Sequence, residues 1–430
     1  MPAASERDAA ARRALRQLFD AAVRAVSPEI AMPPKVSLSP HGRTVVIAVG
    51  KGAAEMMRVA RVRSTGAIEG LVVTRHGHLP RDTKGLGDVE IIEAGHPYPD
   101  DNSMRAAHRA LALARTLKTG DRLLVLLSGG GSALLAAPVD GLTLADKQEV
   151  TRALLQSGAT IEEINRVRKH LSAIKGGRLA VAAGHAAVTT WIISDIPGDD
   201  PSFVSSGPTV ADLSSLSMAR EILDRYGIAA SPAVAAALDD PANETPDPDT
   251  LGLAGADTVV IARARDALAA AAGTARELGY QVTDLGDQLQ AQARHLGASH
   301  AALSRRLARD GQPRAVISGG ETTVTVVNKT GRGGRNLEYL LGLAIALDGE
   351  AGIYALACDT DGIDGTEDAA GAIVTPDTLA RAKNHGLDPA AHLAQNNAYL
   401  FFQALGDLVV TGPTLTNVND FRAILIVPGA

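Results

Sequence analysis

The chain carries one cysteine, Cys358, in 430 residues. A single thiol cannot form an intrachain disulfide, and such scarcity fits a reducing, cytoplasmic compartment. Aromatic residues are also rare, at 3%. There is no long basic tract, and 42 basic residues are set against 48 acidic ones. Nucleic-acid binders usually show a basic face with stacking aromatics, so no nucleic-acid partner is expected. No apolar run reaches the roughly 18 residues that span a bilayer, so no membrane partner is expected either. The pattern Gly-x-x-x-x-Gly-Lys-Ser/Thr does not occur, which removes the common P-loop. The N-terminal stretch does not read as a signal or transit peptide. Leu15, Leu18, Phe19, Ala22, Val23 and Val26 recur at helical spacing, with Glu6, Asp8 and Asp20 interspersed. That pattern predicts a helix docked on the globular body.

Glycine is abundant, with 43 residues, many placed directly after apolar runs. The length exceeds what one core usually supports, so two domains are expected. Short β-branched runs alternate with helical patterns. Strands are expected at Thr44–Val49, Leu71–Thr74, Val89–Ile92, Leu123–Leu127 and Ala187–Ser194, and helices at Ala53–Val62 and Asn102–Leu117. Uninterrupted apolar strands between helices predict an α/β fold with a mainly parallel sheet. The acidic, proline-punctuated stretch Leu238–Asp257 reads as a linker, giving domains of 1–245 and 250–430. Alternation then restarts. Strands are expected at Thr258–Ala262, Ala315–Ser318, Thr322–Val327, Ile353–Cys358 and Ala423–Val427, and helices at Ala264–Leu278, Gln288–Ala308 and Asn336–Leu347.

Seven segments carry candidate chemistry. The turn Gly50-Lys51-Gly52 follows a strand and opens a helix. It matches half of a dinucleotide fingerprint, but Glu55 replaces the third glycine. Lys51 reads either as a point charge for a phosphate or carboxylate, or as a surface lysine. The loop Ser128-Gly129-Gly130-Gly131-Ser132 lets backbone N–H groups approach a ligand, so it reads as an anion cradle. The helix from Thr160 to Ile174 opens with a capping box, Thr160 to Glu163. Its face of Asn165, Arg168, Lys169 and Ser172 reads first as a solvated cationic face. Asp195 stands at the end of a strand, where open α/β sheets place ligands; it could hold a metal or take a proton, or simply form an Asx-turn.

A run of carboxylates, Asp359, Asp361 and Asp364, follows another strand. Like charges so close together favour a cation among them, so Mg²⁺ or general-base use is expected. The spacing is not an EF-hand, because a twelve-residue loop from Asp359 would end on Ala370. The densest segment is Ser318-Gly319-Gly320-Glu321 through Gly331-Arg332-Gly333-Gly334-Arg335-Asn336. It reads as a glycine turn, a β-branched run, and a basic loop opening a helix, an arrangement suited to holding an anion. Finally, Thr411–Asp420 with Asn417 is either a hairpin or a ligand loop.

Taken in order, Val-Gly-Lys-Gly-Ala at Lys51, Ser-Gly-Gly-Gly-Ser-Ala at 128–133, Asn-Arg-Val-Arg-Lys-His-Leu-Ser-Ala-Ile-Lys-Gly-Gly at 165–177 and Ser-Asp-Ile-Pro-Gly-Asp at 194–199 form one series. It continues through Ser-Gly-Gly-Glu-Thr-Thr at 318–323, Gly-Gly-Arg-Asn at 333–336, Asp-Thr-Asp-Gly-Ile-Asp-Gly at 359–365 and Thr-Asn-Val-Asn-Asp at 416–420. The series resembles the class II glycerate kinases, whose C-terminal region is the MOFRL domain, here about 313–428. At Gly52 the family usually has another small residue. The resemblance implies a Rossmann-like N-terminal domain, a mixed α/β C-terminal domain and an active site in the cleft between them. It implies ATP-dependent phosphorylation of D-glycerate at the C2 hydroxyl, with Mg²⁺. Lys51 and Arg335 are then active-site cations facing each other across that cleft, with Asp361 close by. ATP and D-glycerate are the expected partners, and a homodimer is an open possibility. Asp195 or Asp361 would bind the metal or take the hydroxyl proton. An NADP-dependent hydroxypyruvate reductase, with Arg75 recognising the cofactor, is the main rival. A non-catalytic two-domain binder is the other.

Overall fold

The strand pattern of the first half builds a wholly parallel sheet. The computed structural model describes residues 4–80 and 82–429. The chain divides into two compact units: Ala31–Ala262, and Met1–Ile30 together with Arg263–Ala430.

In the Ala31–Ala262 unit the strands are β1 Thr44–Val49, β2 Glu69–Arg75, β3 Glu90–Ala94, β4 Arg122–Leu127, β5 Ala187–Ile193 and β6 Asp257–Ala262. Their order is β3-β2-β1-β4-β5-β6, all parallel. This is the order of a doubly wound, Rossmann-like sheet, and it reverses direction of growth between β1 and β4. Val45, Ile47, Val49, Leu123, Val125 and Leu127 are fully buried in its core. Such continuous apolar strands are buried on both faces by helices, as the sequence pattern predicts. A second apolar cluster, around Val167, Leu171, Ile222 and Val234, joins the helices Leu144–Ser157, Ile161–His170, Leu216–Arg225 and Pro232–Asp239.

The other unit carries β7 Gln281–Asp284, β8 Arg314–Gly320, β9 Ile353–Asp359, β10 Gly371–Val374, β11 Leu408–Val409 and β12 Asp420–Ile426. Their order is β11-β10-β9-β12-β8-β7. Only β7 and β8 pair in parallel; the remaining pairings are antiparallel. The sheet is therefore mixed, as expected of this half. The helix Ala4–Ala25 packs here, burying Leu15, Leu18, Phe19 and Ala22. Phe19 lies 5.9 Å from Phe421 of β12.

Three expectations need correction. The boundary falls after Ala262 rather than in a linker at 238–257, and the N-terminal helix joins the C-terminal unit. The stretch taken as a linker is tied down: Glu244 accepts from the Leu216 N–H and contacts His170 at 2.9 Å, Leu253 is buried, and β6 pairs with β5. Thr322–Val327 is not a strand, and within it Val326 and Val327 are 63% and 72% exposed. Its β-branched composition has no neighbouring strand to pair with beyond an isolated bridge at Thr323. Ser318-Gly319-Gly320 is not a turn but the end of β8, registered against Arg422, Phe421 and Asp420.

Candidate active site

In an open parallel sheet, ligands bind outside the carboxyl ends of the strands where the order reverses. Here that point lies between β1 and β4; Gly50 follows β1, and Ser128-Gly129 follows β4. Gly50 takes φ +121, and a Cβ at that position would strike the Ser128 hydroxyl and carbonyl. The two turns are therefore locked backbone to backbone. Lys51 N–H donates to Gly129 O at 2.9 Å, Gly52 N–H to Ser128 Oγ at 2.8 Å, and Ser128 N–H to Val49 O at 2.9 Å. Gly130 takes φ +86, and a Cβ there would stand 3.0 Å from the His96 ring and 3.7 Å from Lys51 Cγ. Lys51, His96 and Gly130 thus share one spot. Gly131 is packed against Ser205. The N–H groups of Gly129 and Gly130 take no backbone partner among the described residues.

Ser132 is the node beyond this loop. Its hydroxyl accepts from Arg168 Nη2 at 2.7 Å and from Lys175 Nζ at 3.2 Å, while its carbonyl accepts from Lys175 at 2.8 Å. With its oxygen so used, its proton points to Ser206 Oγ at 2.8 Å, which in turn donates to Asn165 Oδ1 at 3.1 Å. The helix Ile161–His170 is therefore not a solvated cationic face. Asn165, Lys169 and Ser172 are buried. Lys169 is committed to Asp212 at 3.1 Å and lies over the Phe203 ring, so its place is structural rather than at the loop. Lys175 and His96 were not singled out by residue type. The available signal for Lys175 was its position directly before the Gly176-Gly177 stop. Asp195 follows β5 in the same unit, half-buried.

The second unit gathers the other candidates. Arg335 opens the helix Arg335–Leu347, and its guanidinium reaches Glu321 at 2.5 Å, Asp359 at 3.3 Å, Asn419 at 3.2 Å and Asp420 at 3.4 Å. Burial alone would lower its pKa. The carboxylates of Asp420, Asp359, Glu321 and Asp364 outweigh burial and hold it above the ordinary arginine value. Arg422 also pairs with Asp420, at 2.5 Å. Asp361 Oδ1 accepts from Ile363 N–H at 2.8 Å, and its own N–H donates to Asp359 Oδ1 at 3.1 Å. Asn417 is buried and accepts from Asn419 N–H.

The basic glycine loop is not an open anion site. The carboxylate of Asp364 accepts from Asn336 N–H at 3.0 Å and Leu337 N–H at 2.9 Å, so the helix already carries its anion. Burial pushes the Asp364 carboxyl up to about 6, against the lowering effect of those two N–H groups. Gly334 is needed because a Cβ would strike Asp364. Arg332 is spent on Glu367 at 2.5 Å and on the Tyr399 ring at 4.4 Å. Gly319 N–H is bonded to Gly286 O, and Gly320 bridges Leu289, so the 318–320 backbone is no cradle.

Among the described residues no group of three or more His, Cys, Asp or Glu is arranged to hold a metal ion. Asp364 accepts the first-turn N–H groups of the helix, Asp359 and Asp361 lie in the same loop, and Asp195 belongs to the other unit. The donor chemistry still suits a hard cation. Four carboxylates around Arg335 exceed the charge of Arg335 and Arg422 together, and Mg²⁺ usually takes one or two carboxylates plus substrate phosphates.

Comparison with known proteins gives the lineage. Residues 14–239 match a domain of unknown function, DUF4147, and residues 314–420 match the MOFRL family. A D-glycerate 2-kinase of Thermotoga maritima is 39% identical over 96% of this chain and 97% of its own length. A protein of Agrobacterium vitis, provisionally named hydroxypyruvate reductase, is 49% identical over 97% of this chain and 95% of its own. The crystal structure of a glycerate kinase from Thermotoga maritima superposes with a TM-score of 0.85 at 38% identity, over 97% of this chain and 100% of that one. The chain belongs to the class II glycerate kinase family, with its C-terminal MOFRL domain.

Proposed function

We propose that this protein transfers the γ-phosphoryl group of ATP to the C2 hydroxyl of D-glycerate, giving 2-phospho-D-glycerate and ADP. The observation that carries this choice over a reductase lies in the turn after β1. A nicotinamide enzyme needs the N–H groups of that turn for a pyrophosphate. Here the Lys51 and Gly52 N–H groups are spent on Gly129 O and Ser128 Oγ. Glu55, where the third glycine of the fingerprint belongs, is paired with Arg58 at 2.6 Å. The turn offers a lysine instead of a cradle, which suits an anionic oxygen of a phosphate or carboxylate. The relatives named as kinases support the same reading.

Phosphoryl transfer asks a protein for positioning and for charge stabilisation, with little covalent work. Lys51 is assigned a point charge for substrate or nucleotide oxygens, and Gly129 and Gly130 supply backbone donors beside it. Arg335 is assigned a second cation, oriented by Asp359 and Glu321. Asp359 and Asp361 are the residues that would hold Mg²⁺, which supplies charge neutralisation on the phosphates when bound. Asp361 or Asp195 is assigned the hydroxyl proton.

The test is direct. ADP release with D-glycerate, ATP and Mg²⁺ is measured beside NADPH and NADH oxidation with hydroxypyruvate. ADP formation that depends on glycerate, with product consumed by an enolase-coupled assay, is expected. Hydroxypyruvate-dependent oxidation of a nicotinamide without glycerate-dependent ADP release would overturn the proposal.

A further inference from the structure

Next to the Ser128–Ser132 loop lies a cavity of about 240 Å³, lined in part by Tyr98, Ser132, Lys147, Arg152, Arg168 and Lys175. Among the described residues no aspartate or glutamate lines it. Lys147 is 7% exposed, and its Nζ has no hydrogen-bond partner among the described residues. Lys175 is 2% exposed and is met only by the neutral oxygens of Ser132. Arg168 is half-buried and likewise bonded to the Ser132 hydroxyl. The nearby loop acids are committed elsewhere, Asp212 to Lys169 and Glu244 to His170, while Asp146 and Glu163 cap their own helices.

Buried charges in folded proteins are normally paired, because an unpaired ion is expensive to desolvate. Lys147 sits on the inward stripe of the helix Leu144–Ser157, in line with buried Val150 and Leu154, where an apolar residue would be the cheaper choice. Burial pushes both the Lys147 and Lys175 amines well below the ordinary lysine range, and repulsion from the Arg168 guanidinium adds to it. Such an arrangement is relieved by an external anion. A carboxylate brings one charge, whereas a phosphate monoester or polyphosphate brings about two and three acceptor oxygens per group. Two lysines, an arginine fork and a hydroxyl match the phosphate.

We propose that this cavity binds the phosphoryl group of a small phosphate-bearing ligand through Lys147, Arg168, Lys175 and Ser132. It is larger than inorganic phosphate requires, and Tyr98 and Leu155 on its rim leave room for an organic portion. Two sources share this chemistry, a nucleoside polyphosphate and a phosphorylated three-carbon acid; naming those two rests on the kinase reading, while the site itself does not.

The test uses the full chain and the variants Lys147→Met and Lys175→Met, each probed by calorimetric titration and thermal melting with inorganic phosphate, ADP and 2-phospho-D-glycerate. Each methionine removes a buried amine that faces no carboxylate, so each variant is expected to melt at or above the wild type without anion. Phosphate is expected to raise the wild-type Tm by several degrees and to leave both variants unmoved. Affinity for ADP or for 2-phospho-D-glycerate is expected to fall at least tenfold in both, and the ligand that loses affinity identifies the source. Unchanged affinities in both variants, or no binding of any of the three to the wild type, would overturn the site. The two readings fail separately. Glycerate-dependent ADP release with unchanged affinities in the variants removes the cavity and keeps the kinase. Lysine-dependent phosphate binding without ADP release does the reverse.

Discussion

The carboxylate of Asp364 accepts the backbone N–H of Leu337 at 2.9 Å. With the Asn336 N–H at 3.0 Å, it occupies the positive end of a thirteen-residue helix. A basic, glycine-rich loop at a helix N-terminus is the usual sequence mark of an anion site. In this chain the anion is a residue of the chain, and the glycines are there to let Asp364 in. The arginines of the loop follow the same logic, Arg332 meeting Glu367 and Arg335 meeting Asp359 and Glu321. The region is a neutralised frame for Arg335 rather than an empty cradle.

Asp364→Ala should therefore act on stability. Two first-turn N–H groups lose their acceptor inside a buried site, which costs about 1–3 kcal/mol. Urea unfolding of the two proteins at pH 8 measures it. A midpoint equal to wild type would show that water or another residue replaces the cap.

Arg335 needs two substitutions to be read cleanly. Arg335→Ala leaves Asp359, Asp420 and Glu321 facing one another, and the loss of a partly buried partner should cost about 2 kcal/mol or more in stability. Arg335→Lys keeps a charge but loses the fork that reaches several carboxylates at once. It should remain folded and lose kcat/KM for glycerate by about 100-fold, in line with removal of one preorganised donor. A lysine variant with wild-type turnover would remove Arg335 from the reaction.

Much of this architecture is legible in the chain because local and global signals agree there. Thr44–Val49 and Ala53–Val62 begin and end where the β-branched run and the helical spacing place them. The switch-point glycines are legible too, since no other residue tolerates φ +121 against Ser128. Three kinds of information were not local. Thr322–Val327 has strand composition but no partner strand. Asp239 to Asp249 looks like a linker, yet Glu244 is fixed by His170 and Leu216 from distant helices. Lys147 shows in sequence as one more charge on an amphipathic helix, and only the packing reveals that it points inward. The capping use of Asp364 is hidden for a similar reason, because spacing does not distinguish a capping carboxylate from a ligating one.

Gly50→Ala and Gly77→Ala separate close approach from backbone preference. Both glycines have positive φ, +121 and +76. At Gly77 an added Cβ meets nothing within 4 Å, so the change should cost about 1 kcal/mol of conformational strain. At Gly50 it collides with Ser128, so the two turns must part and the bonds from Lys51 and Gly52 to Gly129 and Ser128 must stretch. The Gly50 variant should lose at least 3 kcal/mol in denaturant unfolding and most of its activity. Equal costs at the two sites would show that the contact between the β1 and β4 turns is not rigid.

His300 supplies the clearest pH dependence. It is 6% exposed and lies 2.8 Å from the Tyr339 hydroxyl. Burial, with a smaller contribution from the Arg422 guanidinium, pushes its imidazole down from 6.5 to about 4. A histidine depressed in the folded state binds its proton more readily when unfolded. Its contribution is thus fully present above pH 6.5 and is lost as pH falls from 6.5 to 4. Near pH 4.5 the loss should reach about 2 kcal/mol, from the linkage of about 1.4 kcal/mol per pKa unit. Asp364, raised to about 6, works with the opposite sign in an overlapping window, since its stabilising effect declines as pH rises through 6. Comparing variants therefore matters more than the wild-type curve alone. His300→Gln keeps a polar group near Tyr339 and removes the titration. Urea unfolding at pH 7 and pH 4.5 should show the wild type losing about 2 kcal/mol more than the variant across that interval. Parallel losses in the two proteins would mean that His300 takes up its proton without unfolding its surroundings.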